Sequence, residues 1–161
     1  MPFIEMYVTE GALDEQGKRT LHERVSRQVL EGEGVSYDES DIAKAITWML
    51  IHEMPPGSWS VGSEVRTAQD EPRVVTRVAV PHGALNDRKR QDIVARVNAE
   101  VVNVLGEEFT NPTKSLCLIE ENLFSGGGRV VTFEQLVELL GLQHVVDGDE
   151  APATPVGAGA A

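Results

Sequence analysis

The five residues Gly11-Ala12-Leu13-Asp14-Glu15 return as Gly83-Ala84-Leu85-Asn86-Asp87. The same offset of 72 residues carries Val8 to Val80, Leu21 to Ile93, Arg24-Val25 to Arg96-Val97 and Val29 to Val101. Self-similarity at one fixed offset means that a single supersecondary unit occurs twice in the chain. Working outward from the glycines, each is preceded by a short β-branched or apolar run, Phe3 to Val8 and Arg73 to Val80, that reads as a strand stopped by a tight turn. Each is followed by a residue fit to cap a helix, Asp14 or Asn86, with Glu15 or Asp87 in the first turn to complement the helix dipole. Leu21, Val25 and Val29, then Ile93, Val94, Val97, Val101, Val104 and Leu105, recur at helical spacing, so each helix presents one apolar stripe.

A second apolar run closes each unit, Ala45 to Glu53 and Lys114 to Glu121, and its near-continuous apolar character predicts a strand buried on both faces. Two strands bracketing one helix are most simply parallel, joined by a crossover. The expected class is therefore α+β (α/β by local order): tandem βαβ units sharing a four-stranded sheet, with both helices on one face and the other face apolar and in need of cover. The units span 1–70 and 71–131. Thr132-Phe133-Glu134-Gln135 has the form of a capping box and opens a short C-terminal helix over 132–141, a lid or a clasp on a neighbouring subunit, within one domain of residues 1–146. From Asp147 to Ala161 the chain is Gly, Ala, Pro, Val, Thr and acids, and a disordered tail is expected.

Composition narrows the function. The 161 residues are 41% hydrophobic and 25% charged, as in ordinary globular domains. A net charge of −12 repels phosphate backbones and anionic lipids, so no nucleic-acid or membrane partner is expected. No apolar run approaches the roughly 18 residues that span a bilayer. The single cysteine, Cys117, lies in an apolar strand and reads as a buried, inert thiol of a reducing, cytoplasmic compartment. His52-Glu53 starts like a zinc-protease helix, but no second His follows at the needed spacing and Pro55-Pro56 forbids the helix, so no metal is expected. Gly126-Gly127-Gly128 has no Lys-Ser/Thr after it and is a plain turn mirroring the loop at Gly57.

The N-terminus, Met1-Pro2-Phe3-Ile4, offers a potential base at Pro2, the other reading being a proline merely tolerated at the start of an edge strand. A proline in second position permits removal of the initiator methionine, which leaves Pro2 as a free secondary amine. A secondary amine is more basic than an ordinary α-amino group, and burial disfavours its cation, so an apolar pocket draws its pKa down toward neutrality. That is where a general base works best.

Here the chain resembles the tautomerase superfamily, and within it the fused, two-unit members such as cis-3-chloroacrylic acid dehalogenase and malonate semialdehyde decarboxylase. The resemblance is carried by Met1-Pro2, by Glu10-Gly11-Ala12-Leu13-Asp14-Glu15-Gln16, by Glu53-Met54-Pro55-Pro56-Gly57-Ser58-Trp59 with Val61-Gly62 after it, and by the duplication. It implies a homotrimer, a catalytic Pro2, no cofactor, and a small carbonyl or enol substrate. The implied reaction is keto–enol tautomerisation with Pro2 as general base. The alternatives are hydration, dehalogenation or decarboxylation of a small acid with Pro2 as general acid, and a non-catalytic binding or assembly role.

The family's carboxylate-binding arginines are not retained: Ala12 and Trp48 stand at two of their positions, and Val80-Pro81-His82-Gly83-Ala84 at the end of the third strand has none. Arg77, Arg129 and His82 are the candidate replacements, with an outer-face ion pair as the other reading of Arg77 and an exposed loop as the other reading of His82. Trp59 matches the aromatic that closes the apolar wall of the family's site, and interface packing is its alternative. Trp48 is expected in the core or lining the pocket.

Overall fold

A computed structural model describes residues 2–66, 70 and 72–141 of the chain. Strand β1 (Phe3–Thr9) is followed by helix α1 (Glu15–Glu33), a short helix α2 (Asp41–Ala45) and strand β2 (Trp48–Met54). The hairpin β3 (Trp59–Val61) and β4 (Glu64–Arg66) completes the first unit. The second repeats it: β5 (Val74–Pro81), α3 (Asp87–Leu105), a 3-10 turn at Glu107–Thr110, β6 (Ser115–Asn122), and the hairpin β7 (Phe124–Gly126) and β8 (Arg129–Val131). Helix α4 (Phe133–Leu140) follows. Among the described residues, no helix is long and apolar enough to cross a membrane.

The four long strands form one sheet in the order β2-β1-β5-β6. Within each unit the strands are parallel, Phe3 opposite Trp48 and Val75 opposite Leu116. The units meet antiparallel at the centre, where Phe3 faces Ala79 and Val8 faces Val74. This arrangement puts the start of β1 and β2 at the same end of the sheet as the finish of β5 and β6.

Both helices begin as their sequences require. The Asp14 carboxylate accepts from the Gly17 N–H at 2.6 Å, and the Asn86 side chain from the Lys89 N–H at 2.8 Å. Their stripes close one core: Leu21, Val25 and Val29 of α1 and Ile93, Val97 and Val101 of α3 lie on Ile4, Met6 and Val8 of β1 and Val74, Val78 and Val80 of β5, all buried. The approach of the helices needs Gly32, because a Cβ there would run into the Ile93 side chain. Cys117 of β6 packs against the same core, and burial pushes its thiol up to about 11, where the reactive thiolate is scarce.

Three expectations need correction. The run from Ala45 does not begin as strand: Ser40 accepts from the Ala43 N–H at 3.1 Å and caps α2, so β2 starts at Trp48. The outer strands are not buried on both faces within the chain. Trp48 (66% exposed), Leu50 (44%), Leu116 (50%) and Leu118 (46%) lie on the face away from the helices. A continuous apolar run reads the same whether its second face is covered by its own chain or by another. The loops after β2 and β6 are also hairpins rather than plain turns, closed by Gly62-Ser63 and Gly127-Gly128, all four at positive φ.

The capping box at Thr132 is formed, and α4 ends at Gly141. The helix packs on its own chain, burying Leu136 and Val137 and laying Leu140 against the cluster of Leu30, Val35 and Ala43. The expected disordered tail lies outside the described residues.

Candidate functional site

Pro2 is buried. Its carbonyl accepts the Trp48 N–H at 3.2 Å, which ties it to the beginning of β2 as a strand residue in all but name. Beside it opens a cavity of about 500 Å³ lined by Pro2, Phe3, Ile46 and Trp48 from the sheet end and by Phe124, Ser125, Gly126 and Gly127 from the second hairpin. None of these residues carries a charge, and Ser125 brings the one side-chain hydroxyl. An amine at such a wall would be desolvated, which costs its cation more than its neutral form.

The hairpin reaches Pro2 because of the antiparallel centre of the sheet: β6 finishes where β1 starts. The same relation places the first hairpin at the far end. Trp59 there lines a separate cavity of about 340 Å³ with Ser60, Val61, Arg73, Val74 and Val75, with Lys114 and Leu116 across from them. By the internal repeat Val74 occupies the position of Pro2, so this second cavity is a counterpart with a valine in place of the proline. Within the chain, Trp59 does not line the Pro2 cavity, and Phe124 stands where an aromatic wall was expected of it.

The remaining candidates divide. Trp48 lines the cavity, its indole Nε1–H donating to the Ala45 carbonyl at 3.3 Å. His82 is 85% exposed and belongs to a neighbouring cavity of about 460 Å³ with Asn122, Leu123, Val131, Thr132, Phe133 and two glutamates, Glu121 and Glu134. Its Nδ1 lies 3.9 Å from Glu121, which also accepts from Arg90 at 2.9 Å. Arg129 is exposed on β8 opposite Gly126, on the hairpin that covers Pro2 but outside the lining. Arg77 sits in mid-strand on the open face, where its guanidinium donates to Glu5 at 3.1 Å and to both Glu120 oxygens at 3.0 and 3.1 Å. It is an ion-pair residue, held protonated chiefly by Glu120, and not a cavity residue. Among the described residues no group of three His, Cys, Asp or Glu side chains could hold a metal ion.

Phe124 was not singled out by the sequence, and Gly126-Gly127-Gly128 read there only as a plain turn. The signal was present: each unit ends in a glycine-turned hairpin, and only the direction in which the units meet decides which hairpin covers which strand.

No family model matches the chain, and no curated protein is similar to it. Solved structures are. A wild-type fused 4-OT solved as an asymmetric trimer is 16% identical, with a TM-score of 0.64 over 80% of this chain and 94% of that one. Pt0534 inactivated by 2-oxo-3-pentynoate is 20% identical, with a TM-score of 0.63 over the same 80% and 94%. Leishmania major MIF2 is 15% identical, with a TM-score of 0.57 over 81% of this chain and 97% of that one. The chain has the fold of these proteins, a fused two-unit tautomerase fold.

Proposed function

We propose that the chain is a cofactor-independent tautomerase whose base is the secondary amine of Pro2, freed by removal of Met1. The observation that carries this reading is the burial of Pro2 at an uncharged cavity of about 500 Å³. In ketonisation the neutral amine takes the proton of the enol hydroxyl, and that O–H electron pair becomes the carbonyl π bond. The alkene electron pair then takes a proton at carbon from the prolinium, which restores the neutral amine. Ser125 and the hairpin backbone are the donors available to the developing oxyanion. His82 and Arg129 lie off the lining and are not needed for the step.

The cavity also supports a substrate class. Trp48 replaces a family arginine and Phe124 closes the wall, so an enol with an aromatic or other apolar substituent fits better than a dicarboxylate. The related Pt0534 was inactivated by an acetylenic 2-oxo acid. A compound of that kind is a reasonable covalent probe of the Pro2 amine here.

We further propose a homotrimer. The supporting facts are the open sheet face carrying Trp48, Leu50, Leu116 and Leu118, and the trimeric state of fused 4-OT neighbours. Exposed apolar area of that extent on one face is an interaction surface.

The test compares phenylenolpyruvate ketonisation by three proteins. The native chain, with intact mass lacking Met1, should turn over. Pro2→Ala and a chain extended by an N-terminal tag should not. Equal rates in all three would remove Pro2 from the mechanism, and no turnover of any enol would favour a binding role.

A further inference from the structure

The cavity at the far end of the sheet repeats the plan of the Pro2 cavity position by position. The offset of 72 residues carries Pro2 and Phe3 to Val74 and Val75. Trp48 stands opposite Phe3 as Leu116 stands opposite Val75, so Ile46 and Lys114, each two residues earlier, are equivalent as well. The hairpins are exchanged in the same sense: Phe124 and Ser125 line the first cavity, Trp59 and Ser60 the second.

Charge separates the two ends. Where the Pro2 cavity has Ile46, its counterpart has Lys114, and Arg73, the residue before Val74, joins the same lining. Among the described residues that line it there is no carboxylate. On a chain of net charge −12 this is a local reversal of sign. Both cations are half-buried, and charge at a partly dry wall acts more strongly than charge in open water. Their backbones are pinned on either side of Val74. The Arg73 N–H donates to the Thr9 hydroxyl at 3.0 Å, and the Lys114 carbonyl accepts the Val74 N–H at 2.9 Å. Both residues interact further within the chain, and what they bring to the cavity is positive potential. The nitrogen at the position of Pro2 is here a peptide N–H already engaged as a donor, with no lone pair to take a proton.

We propose that this far-end cavity is a second, non-catalytic binding site for a small aromatic carboxylate. The carboxylate group lies toward Arg73 and Lys114, and the ring lies against Trp59 and Leu116. A guanidinium and an ammonium together suit the planar, singly charged carboxylate, and the indole and leucine take the ring. The volume of about 340 Å³ is at the small end of ligand cavities, which fits an acid of one ring. The site does not depend on the Pro2 reaction.

Each cavity has its own tryptophan, Trp48 at the Pro2 end and Trp59 at the other, so the native protein reports on both. The test follows the two indole N–H signals of ¹⁵N-labelled protein, assigned with Trp48→Phe, as benzoate is added. The Trp59 signal should shift and saturate, and the neutral isostere benzamide should bind about tenfold more weakly or worse. Lys114→Ile, which gives this cavity the residue of the other, should weaken benzoate about tenfold and leave benzamide unchanged. If that variant does not fold, the comparison of benzoate with benzamide on the native protein carries the test. A Trp59 signal unmoved by benzoate, equal binding of benzamide, or undiminished benzoate binding in folded Lys114→Ile overturns the proposal. A shift confined to Trp48 overturns it too, by assigning the acid to the Pro2 end. No readout involves turnover, so failure here leaves the proposed tautomerase standing, and failure of the tautomerase leaves this site standing.

Discussion

The Trp48 backbone N–H donates to the Pro2 carbonyl at 3.2 Å, so the residue proposed as the base is fixed by the strand that also supplies a wall of its cavity. An amine held in this way has little freedom to swing into water. What remains open around it is closed by Phe124, which reaches over from the far side of the sheet.

Removing that wall should hydrate the amine. Phe124→Ala is expected to raise the pKa of the acid limb in kcat/KM for enol ketonisation by about half to one unit, and to lower kcat/KM near neutral pH by up to about tenfold. Trp59→Ala, at the other end of the sheet, should leave the limb in place when made in a Leu118→Lys monomer. A pH series on the two variants checks both.

Leu118 stands in the middle of the edge strand β6, on the open sheet face, 46% exposed. Leu118→Lys should leave the helical circular dichroism of the chain intact and drop the mass in light scattering about threefold, from trimer to monomer. A trimer that survives the substitution would place its interface elsewhere.

The close approach of α1 and α3 at Gly32 makes Gly32→Ala informative. Helix propensity alone would favour alanine by about 1 kcal/mol. The new Cβ meets the fully buried Ile93, however, and overpacking of this kind costs about 1–3 kcal/mol. The expected net result is a lower Tm, partly restored by Ile93→Val.

Glu33, buried at the end of α1, makes a prediction about stability. Its carboxyl has a raised pKa in the folded chain, so the folded state binds its proton to higher pH than the unfolded state does. The penalty is absent at low pH, grows as pH rises from the unfolded value of about 4.3, and is complete above the folded value. Glu33→Gln should therefore raise Tm at neutral pH and have no such effect near pH 4, as differential scanning fluorimetry across pH would record.

Much of this was legible in the sequence because the unit occurs twice. The Gly11/Gly83 repeat, the caps at Asp14 and Asn86 and the apolar stripes specify two βαβ units without any distance being known. The helix α2 was hidden because Asp41–Ala45 is a single short turn, signalled by little more than Ser40. The place of Pro2 was legible as chemistry, but its wall was not. Local sequence shows that each unit ends in a glycine-containing turn, yet whether Trp59 or Phe124 covers Pro2 depends on the units meeting antiparallel at β1 and β5, a long-range choice. Glu33 was hidden for the opposite reason: a glutamate in the last turn of a polar-faced helix looks like any solvated carboxylate until the folded chain buries it.

The central claim is that an uncharged Pro2 amine moves the proton, and the dependence of kcat/KM on pH for phenylenolpyruvate ketonisation tests it most directly. The native chain should lose activity as pH falls, tenfold per unit below a single pKa. That pKa should match the one read by ¹⁵N titration of the Pro2 nitrogen, and Pro2→Ala should have no limb of this kind. A profile that is flat in the native chain, or identical in Pro2→Ala, would contradict the claim.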